Sequence, residues 1–115
     1  MSSKDALTWL ENNLNNFPDR ASGEELYRFF NRIVKPIINS EDTSDKDDLV
    51  NGLRYWLEKR TESRSMLAVD IIHNHKLTEL ESEVEALLQD VLNGVAFAPH
   101  YEKPIRKALH AIKKE

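Results

Sequence analysis

A run of apolar side chains between positions 26 and 38 constrains the fold more than any other feature of the chain. Its members follow i, i+3, i+4 and i+7 spacing, the period of an α-helix with a wide buried face. They are Leu26, Phe29, Phe30, Ile33, Val34, Ile37 and Ile38. Ser22 lies three residues before Glu25, which predicts a capping box at the start of this helix. Pro36 predicts a kink or an early end.

The same period recurs along nearly the whole chain, and strict strand-like alternation is hard to find. The other predicted stripes are Leu7, Leu10, Leu14 and Phe17; Leu49, Leu53, Trp56 and Leu57; Leu67, Ala68, Ile71 and Ile72; Leu80, Val84, Leu87, Leu88, Val91 and Leu92; and Ile105, Ala108, Leu109 and Ile112. Three glycines and four prolines in 115 residues favour long regular elements. We predict one all-α domain over residues 1–115, with five to six antiparallel amphipathic helices.

Local signals predict where these helices begin and end. Pro18 ends the first helix, and Thr43 or Ser44 caps the third. A second capping box is predicted at Thr78 and Glu81. The letters HNHK at positions 73–76 are typical of a helix end, with Asn tolerating the left-handed cap, rather than of a metal site.

Two histidines in that tetrad cannot hold one ion on a helix. His73 and His75 are two residues apart, which places them on nearly opposite sides of the axis. Asp70 and His73 do share a face, but a carboxylate-bundle site needs a second such pair, and the sequence offers none. We therefore expect no metal ion and no other cofactor.

The segments AVDII at 68–72 and ALHAI at 108–112 share one pattern, forty residues apart. That distance is typical of two-helix solenoid units. Residues 63–112 resemble HEAT-type helical repeats, with a first helix, a turn, a second helix, and a first helix again. The resemblance implies hairpins stacked in a short array and a scaffold that binds other macromolecules, usually proteins. A compact helical bundle is the alternative architecture.

Composition excludes several functional classes. No cysteine is present, so disulfides and thiolate metal sites are impossible. A net charge of -4 and a pI near 5.6 disfavour general nucleic-acid binding. No apolar run approaches the length of a bilayer span, and the first residues lack the apolar block of a secretory signal. We expect a cytoplasmic protein with no membrane partner.

The segment from position 41 to 48 is the main candidate for partner binding. It is predicted as a loop or surface turn in which helix three starts, and one lysine accompanies its five acids, Glu41, Asp42, Asp45, Asp47 and Asp48. Such a cluster can steer a basic partner into contact. Trp9 and Tyr55 lie off the apolar stripes, so both are predicted to be half exposed and to serve as anchors for a partner.

The sequence lacks the residue patterns that are typical of an enzyme active site. The sequence contains no nucleophile beside a base and no glycine-rich phosphate loop, so we expect no catalytic residues and no enzymatic activity. The predicted function is a protein-binding module, most specifically an inhibitor or immunity-type protein that neutralises a basic partner such as a toxin or nuclease domain. Two alternatives remain open: a nucleic-acid-binding helical repeat using Lys103, Arg106 and Lys107, and a structural subunit of a larger assembly.

Overall fold

A computed structural model describes residues 3–18 and 21–113, and these ranges fold into helices. Two single 3-10 turns, Thr78–Leu80 and Pro99–Tyr101, precede the last two helices. The α-helices are α1 (Ser3–Asn15), α2 (Gly23–Ile38), α3 (Thr43–Glu58), α4 (Glu62–His75), α5 (Glu81–Leu92) and α6 (Glu102–Ile112). No strand occurs in the described ranges, which confirms the all-α prediction.

The chain divides into two compact units, Met1–Leu53 and Arg54–Glu115, and the division falls inside α3. The single domain expected from chain length stays a prediction.

The first unit has an apolar core supplied by α1, α2 and the first half of α3. Its fully buried side chains are Ala6, Leu10, Phe30, Val34, Leu49, Val50 and Leu53. Gly52 is buried among them, and a Cβ at this glycine would lie 3.0 Å from Leu10 Cδ1 and 3.5 Å from the backbone nitrogen of Leu7. The missing side chain therefore lets α1 and α3 approach closely.

The wide buried face predicted for α2 is narrower than its sequence period suggests. Only Phe30 and Val34 of the stripe are fully buried, and its other five members are half buried. Phe29 completes an aromatic contact instead, with its ring centroid 5.2 Å from that of Phe17 and 5.5 Å from that of Phe30. Periodicity marks the face of a helix, but neighbouring helices determine how much of that face they cover.

Helix α2 begins and ends close to the predicted positions. The backbone N–H of Glu25 donates to Ser22 Oγ at 3.1 Å, so Ser22 is the N-cap. Pro36 lies inside the helix, which ends two residues later at Ile38. A proline lacks the N–H that would bond back to the preceding turn, yet the helix continues through Pro36 to the last residue of the predicted stripe and does not end early.

The second unit is built around α6, which packs against both α4 and α5. The two repeated segments lie on the packed pair α4 and α6. Ala68 and Ala108 are fully buried, and so are Ile72 and Ile112 at the other end of each segment. The shared pattern therefore supplies the small and branched apolar residues of two helices in contact.

Ser65 is a polar residue buried inside the apolar side of α4. Its hydroxyl donates a hydrogen bond of 2.8 Å to the backbone carbonyl of Trp56, in the last turn of α3. Carbonyls in the last turn of a helix lack the usual intrahelical donors, and the serine hydroxyl supplies a donor for this one. The contact also fixes the end of α3 beside the first turns of α4.

Helix ends in the second unit use left-handed residues. Arg60 (φ 53°) follows α3, Lys76 (φ 52°) follows α4, and Gly94 (φ 73°) follows α5. Glycine is the usual residue for this conformation after a helix, whereas Asn74 stays helical and Lys76 takes the cap that had been assigned to the asparagine. The left-handed conformation has a steric cost for lysine, and the next residue, Leu77, is buried.

The capping box predicted at Thr78 and Glu81 is wrong. Thr78 begins a 3-10 turn, and the backbone N–H of Glu81 donates to the carbonyl of Thr78. Leu80 occupies the N-cap position of α5 and is fully buried. The 3-10 turn thus occupies Thr78–Leu80, and α5 begins three residues after the threonine, at Glu81.

Two ion pairs connect α3 and the residues that follow it to α5. Arg54 Nε lies 3.0 Å from Glu83 Oε1, and Arg60 Nε lies 2.9 Å from Asp90 Oδ2. A second nitrogen of Arg60 donates to the carbonyl of Leu57 at 2.6 Å. Both pairs are partly shielded from water, so they align the two helices more effectively than fully exposed pairs would.

Candidate functional site

Helix three starts within the acidic segment at 41–48, as predicted, but most of the segment is helical rather than a loop or surface turn. Helix α3 begins at Thr43, so only Glu41 and Asp42 precede it. Asp45, Asp47 and Asp48 occupy its first two turns. Carboxylates near a helix N-terminus are stabilised by the helix dipole, and this stabilisation favours helix where composition alone suggested a turn.

Asp42 caps α3, in place of the predicted Thr43 or Ser44. The backbone N–H of Ser44 donates to Asp42 Oδ1 at 3.0 Å, and the Ser44 hydroxyl donates to the same oxygen at 2.6 Å. The hydroxyl and then the backbone hydrogen bond lower the pKa of Asp42 below its ordinary value of 3.8. This carboxylate therefore finishes the helix as well as adding negative charge.

The Asp42 cap predicts a pH-dependent contribution to stability. A depressed pKa in the folded state means that the contribution is present above pH 3.8 and is lost as pH falls through the lower folded value. Asp42→Ala should lower the urea midpoint at neutral pH, and Asp42→Asn, which keeps an acceptor oxygen, should lower it less. Denaturation monitored by circular dichroism at neutral and acidic pH measures this. Equal midpoints for wild type and Asp42→Ala at neutral pH would contradict the cap.

The remaining acids of the segment differ in exposure. Glu41 and Asp47 are exposed, whereas Asp45 and Asp48 are half buried. The charge imbalance extends beyond this segment, because Met1–Leu53 contains ten acidic and six basic residues while Arg54–Glu115 contains ten of each. The whole net charge of -4 thus belongs to the first unit.

The two predicted aromatic anchors lie in different units and have different exposure. Trp9 on α1 is half buried, and its backbone carbonyl accepts a hydrogen bond from the Asn13 side chain at 2.8 Å. Tyr55 on α3 is 44% exposed, with the Lys59 ammonium 5.1 Å from its ring centroid. Tyr55 therefore presents a ring that is available to solvent and already accommodates a cation.

The predicted basic residues all lie on the exposed side of α6. Lys103, Arg106 and Lys107 are exposed, and so is Lys113 just after the helix. Lys114 lies outside the described residues. Arg106 Nε is 3.0 Å from Glu102 Oε2, so one of the three predicted phosphate ligands already has a carboxylate beside it.

The histidine tetrad forms the end of α4. Asp70 and His73 are both half buried, and the Asn74 amide donates to Asp70 Oδ2 at 3.1 Å. Among the described residues, 3–18 and 21–113, no group of three or more His, Asp or Glu side chains is arranged to hold a metal ion.

Sequence reasoning missed a groove between α5 and α6. The α5–α6 groove has a volume of about 300 Å³, and its lining consists of Leu88, Arg106, Leu109, His110 and Lys113. Its three basic residues, two on α6 and one just after it, recur at i, i+4 and i+7, a spacing that the sequence shows. The position of Leu88 beside them depends on how α5 packs, and no local signal indicates that.

Comparison with known proteins identifies no relative of this chain. No protein-family model matches it, and neither does any curated protein or solved structure. Within the described residues, no helix combines the length and apolar character needed to cross a bilayer.

Proposed function

We propose that this chain is a non-catalytic protein-binding module that recognises a basic protein through its acidic first unit. The observation that supports the proposal is the concentration of the entire net negative charge in Met1–Leu53. Glu41 and Asp47 are exposed, so their carboxylates are available to contact a partner. Charge of one sign raises the rate of encounter with a partner of the other sign.

Within this class, an inhibitor or immunity-type protein is the most specific form of the proposal. Such a protein must cover a cationic cleft of a toxin or nuclease domain, and an acidic unit suits that cleft electrostatically. Covering a cleft requires no reactive group of its own, so the proposal assigns no catalytic residue. The HEAT-like array of α4, α5 and α6 remains a proposal as well, supported by the packing of α6 on both other helices.

Reversing the charge of three acids in α3 tests the proposal. The variant carrying Asp45→Lys, Asp47→Lys and Asp48→Lys should associate with a partner captured on the full chain at least about tenfold more slowly at low salt. High salt should reduce the difference, because it screens exposed charges. Surface plasmon resonance across salt concentrations measures both effects.

Two control variants make that test specific. Reversal of Glu58, Glu79 and Glu85 to Lys changes the net charge equally but alters the second unit, and it should slow association much less. Replacement of the three aspartates by asparagine removes charge without placing cations near the start of α3, where they would oppose the helix dipole. A partner whose low-salt association rate is the same for wild type and both Asp variants would refute the proposal.

A nucleic-acid-binding function is the second candidate, favoured by the exposure of Lys103, Arg106 and Lys107 on one helix. Binding through phosphates must weaken steeply as salt rises and must respond to substitution of each of these cations. A mobility assay with labelled duplex DNA and single-stranded RNA separates this function from protein binding. A third candidate, a structural subunit docking through Trp9 or Tyr55, predicts a stable complex that salt does not dissociate.

A further inference from the structure

The α5–α6 groove combines features that the proposed function does not use. Its floor is apolar, formed by the buried side chains Leu88 and Leu109. Arg106, His110 and Lys113 form its rim, and all three are exposed. An apolar floor with a cationic rim suits a ligand that carries apolar and anionic groups next to each other.

We propose that the α5–α6 groove binds an acidic peptide segment in which an apolar side chain enters the groove and flanking carboxylates pair with Arg106 and Lys113. This ligand is acidic and binds the second unit, whereas the proposed function concerns a basic partner bound by the first unit. The two proposals are therefore independent. The charge of the rim determines the sign of the ligand. The floor requires it to have an apolar side chain.

Arg106 already shows how the rim receives a carboxylate. Its guanidinium holds Glu102 Oε2 at 3.0 Å, in an i, i+4 pair whose side chains are 53% and 41% exposed. Exposed pairs of this kind contribute little to stability, so a carboxylate from a ligand can displace Glu102 or share the guanidinium with it. The intramolecular carboxylate thus stands in for one carboxylate of the bound peptide.

The α5 side of the groove supports an apolar segment longer than one residue. Leu92 lies one turn beyond Leu88 on α5 and is 43% exposed, although its place in the sequence stripe predicts burial. A single exposed leucine is not unusual, but Leu92, which lies outside the groove lining, continues the apolar row of Leu88 along α5. Leu88 and Leu92 together match two apolar side chains one helical turn apart on an amphipathic peptide.

Charges on α5 determine how such a peptide would be oriented. Glu85 lies one turn before Leu88, and its carboxylate accepts a hydrogen bond of 3.1 Å from the Gln89 amide. The peptide carboxylates should therefore face the basic rim on α6, away from α5. The floor also disfavours nucleic acid, since a sugar-phosphate backbone has no apolar side chain to place against Leu88 and Leu109.

Fluorescence anisotropy with a labelled synthetic peptide tests the proposal on the full chain. The peptide consists of Glu and Asp with two leucines one helical turn apart. Arg106→Glu and Lys113→Glu should each weaken its binding about tenfold. Lys107→Glu is the matched control, because it makes the same charge change on α6 outside the groove lining, and it should weaken binding less than about twofold.

A second peptide with both leucines replaced by serine tests the apolar floor. It should bind about tenfold or more weakly than the first peptide, since two apolar contacts are lost. Equal binding of both peptides, or equal loss on Lys107→Glu and Lys113→Glu, would overturn the proposal in favour of a general charge effect. Tighter binding of labelled RNA or DNA than of the leucine peptide would also overturn it. So would self-association of the chain, measured by sedimentation, that excludes the peptide.

Discussion

Trp56→Ala should destabilise the protein by about 3 to 5 kcal/mol, among the largest effects expected from any single substitution. Trp56 is 1% exposed and ranks first by volume among the fully buried side chains. Its removal takes a large apolar area out of the core and leaves a cavity that the surrounding helices fill only in part. Urea denaturation monitored by circular dichroism measures the loss.

Tyr55→Ala provides a matched control for that substitution. Tyr55 is the preceding residue of the same helix and is also aromatic, but it is 44% exposed. Its truncation should cost less than about 1 kcal/mol, because little buried surface is lost. Similar losses for the two variants would show that Trp56 does not occupy the core, and would contradict the packing described for the end of α3.

Gly52→Leu should destabilise the first unit by about 3 kcal/mol through a steric conflict between α1 and α3. The first added carbon would already lie 3.0 Å from Leu10 Cδ1, and the Leu7 backbone 3.5 Å away cannot yield as a side-chain tip can. Gly52→Ala should change stability much less. The tip of Leu10 can shift, and alanine gains about 1 kcal/mol of helix propensity over glycine.

Gly23→Leu is the control for the glycine at position 52. Gly23 is the first residue of α2, and a Cβ there would meet no atom within 4 Å. The free energy of unfolding of this variant should lie within about 0.5 kcal/mol of the wild-type value. If Gly52→Leu were equally harmless in urea denaturation, the close approach of α1 and α3 would not exist.

Helix identity and most helix boundaries could be predicted because their causes are local. The Ser22 hydroxyl caps the N–H of Glu25, a residue three positions away, and Gly94 takes a positive φ because of its own missing side chain. The misplaced caps at Asp42 and Thr78 show where this local reasoning ends. Several residue types that can cap a helix lie within two or three positions of each start, and at α5 the N-cap position falls on the buried Leu80.

Part of the candidate site could also be predicted from the sequence. The acids at 41–48 are clustered in the sequence and the cations of α6 recur at helical spacing, so the order of residues indicates two segments of opposite charge. Their environments could not be predicted. Asp42 is engaged as a cap and Arg106 is paired with Glu102, and both contacts depend on where each helix begins.

Sequence alone determined the helical period, the charge and the absence of cysteine chemistry, because each is a property of neighbouring residues or of composition. Tertiary structure decided that Leu92 is exposed and that α1 packs closely against α3 at Gly52. It also decided that Leu88, Arg106 and Lys113 line one groove. Burial of a residue depends on which other helix face covers it. That face comes from residues tens of positions away, and a local pattern does not encode their distance in space.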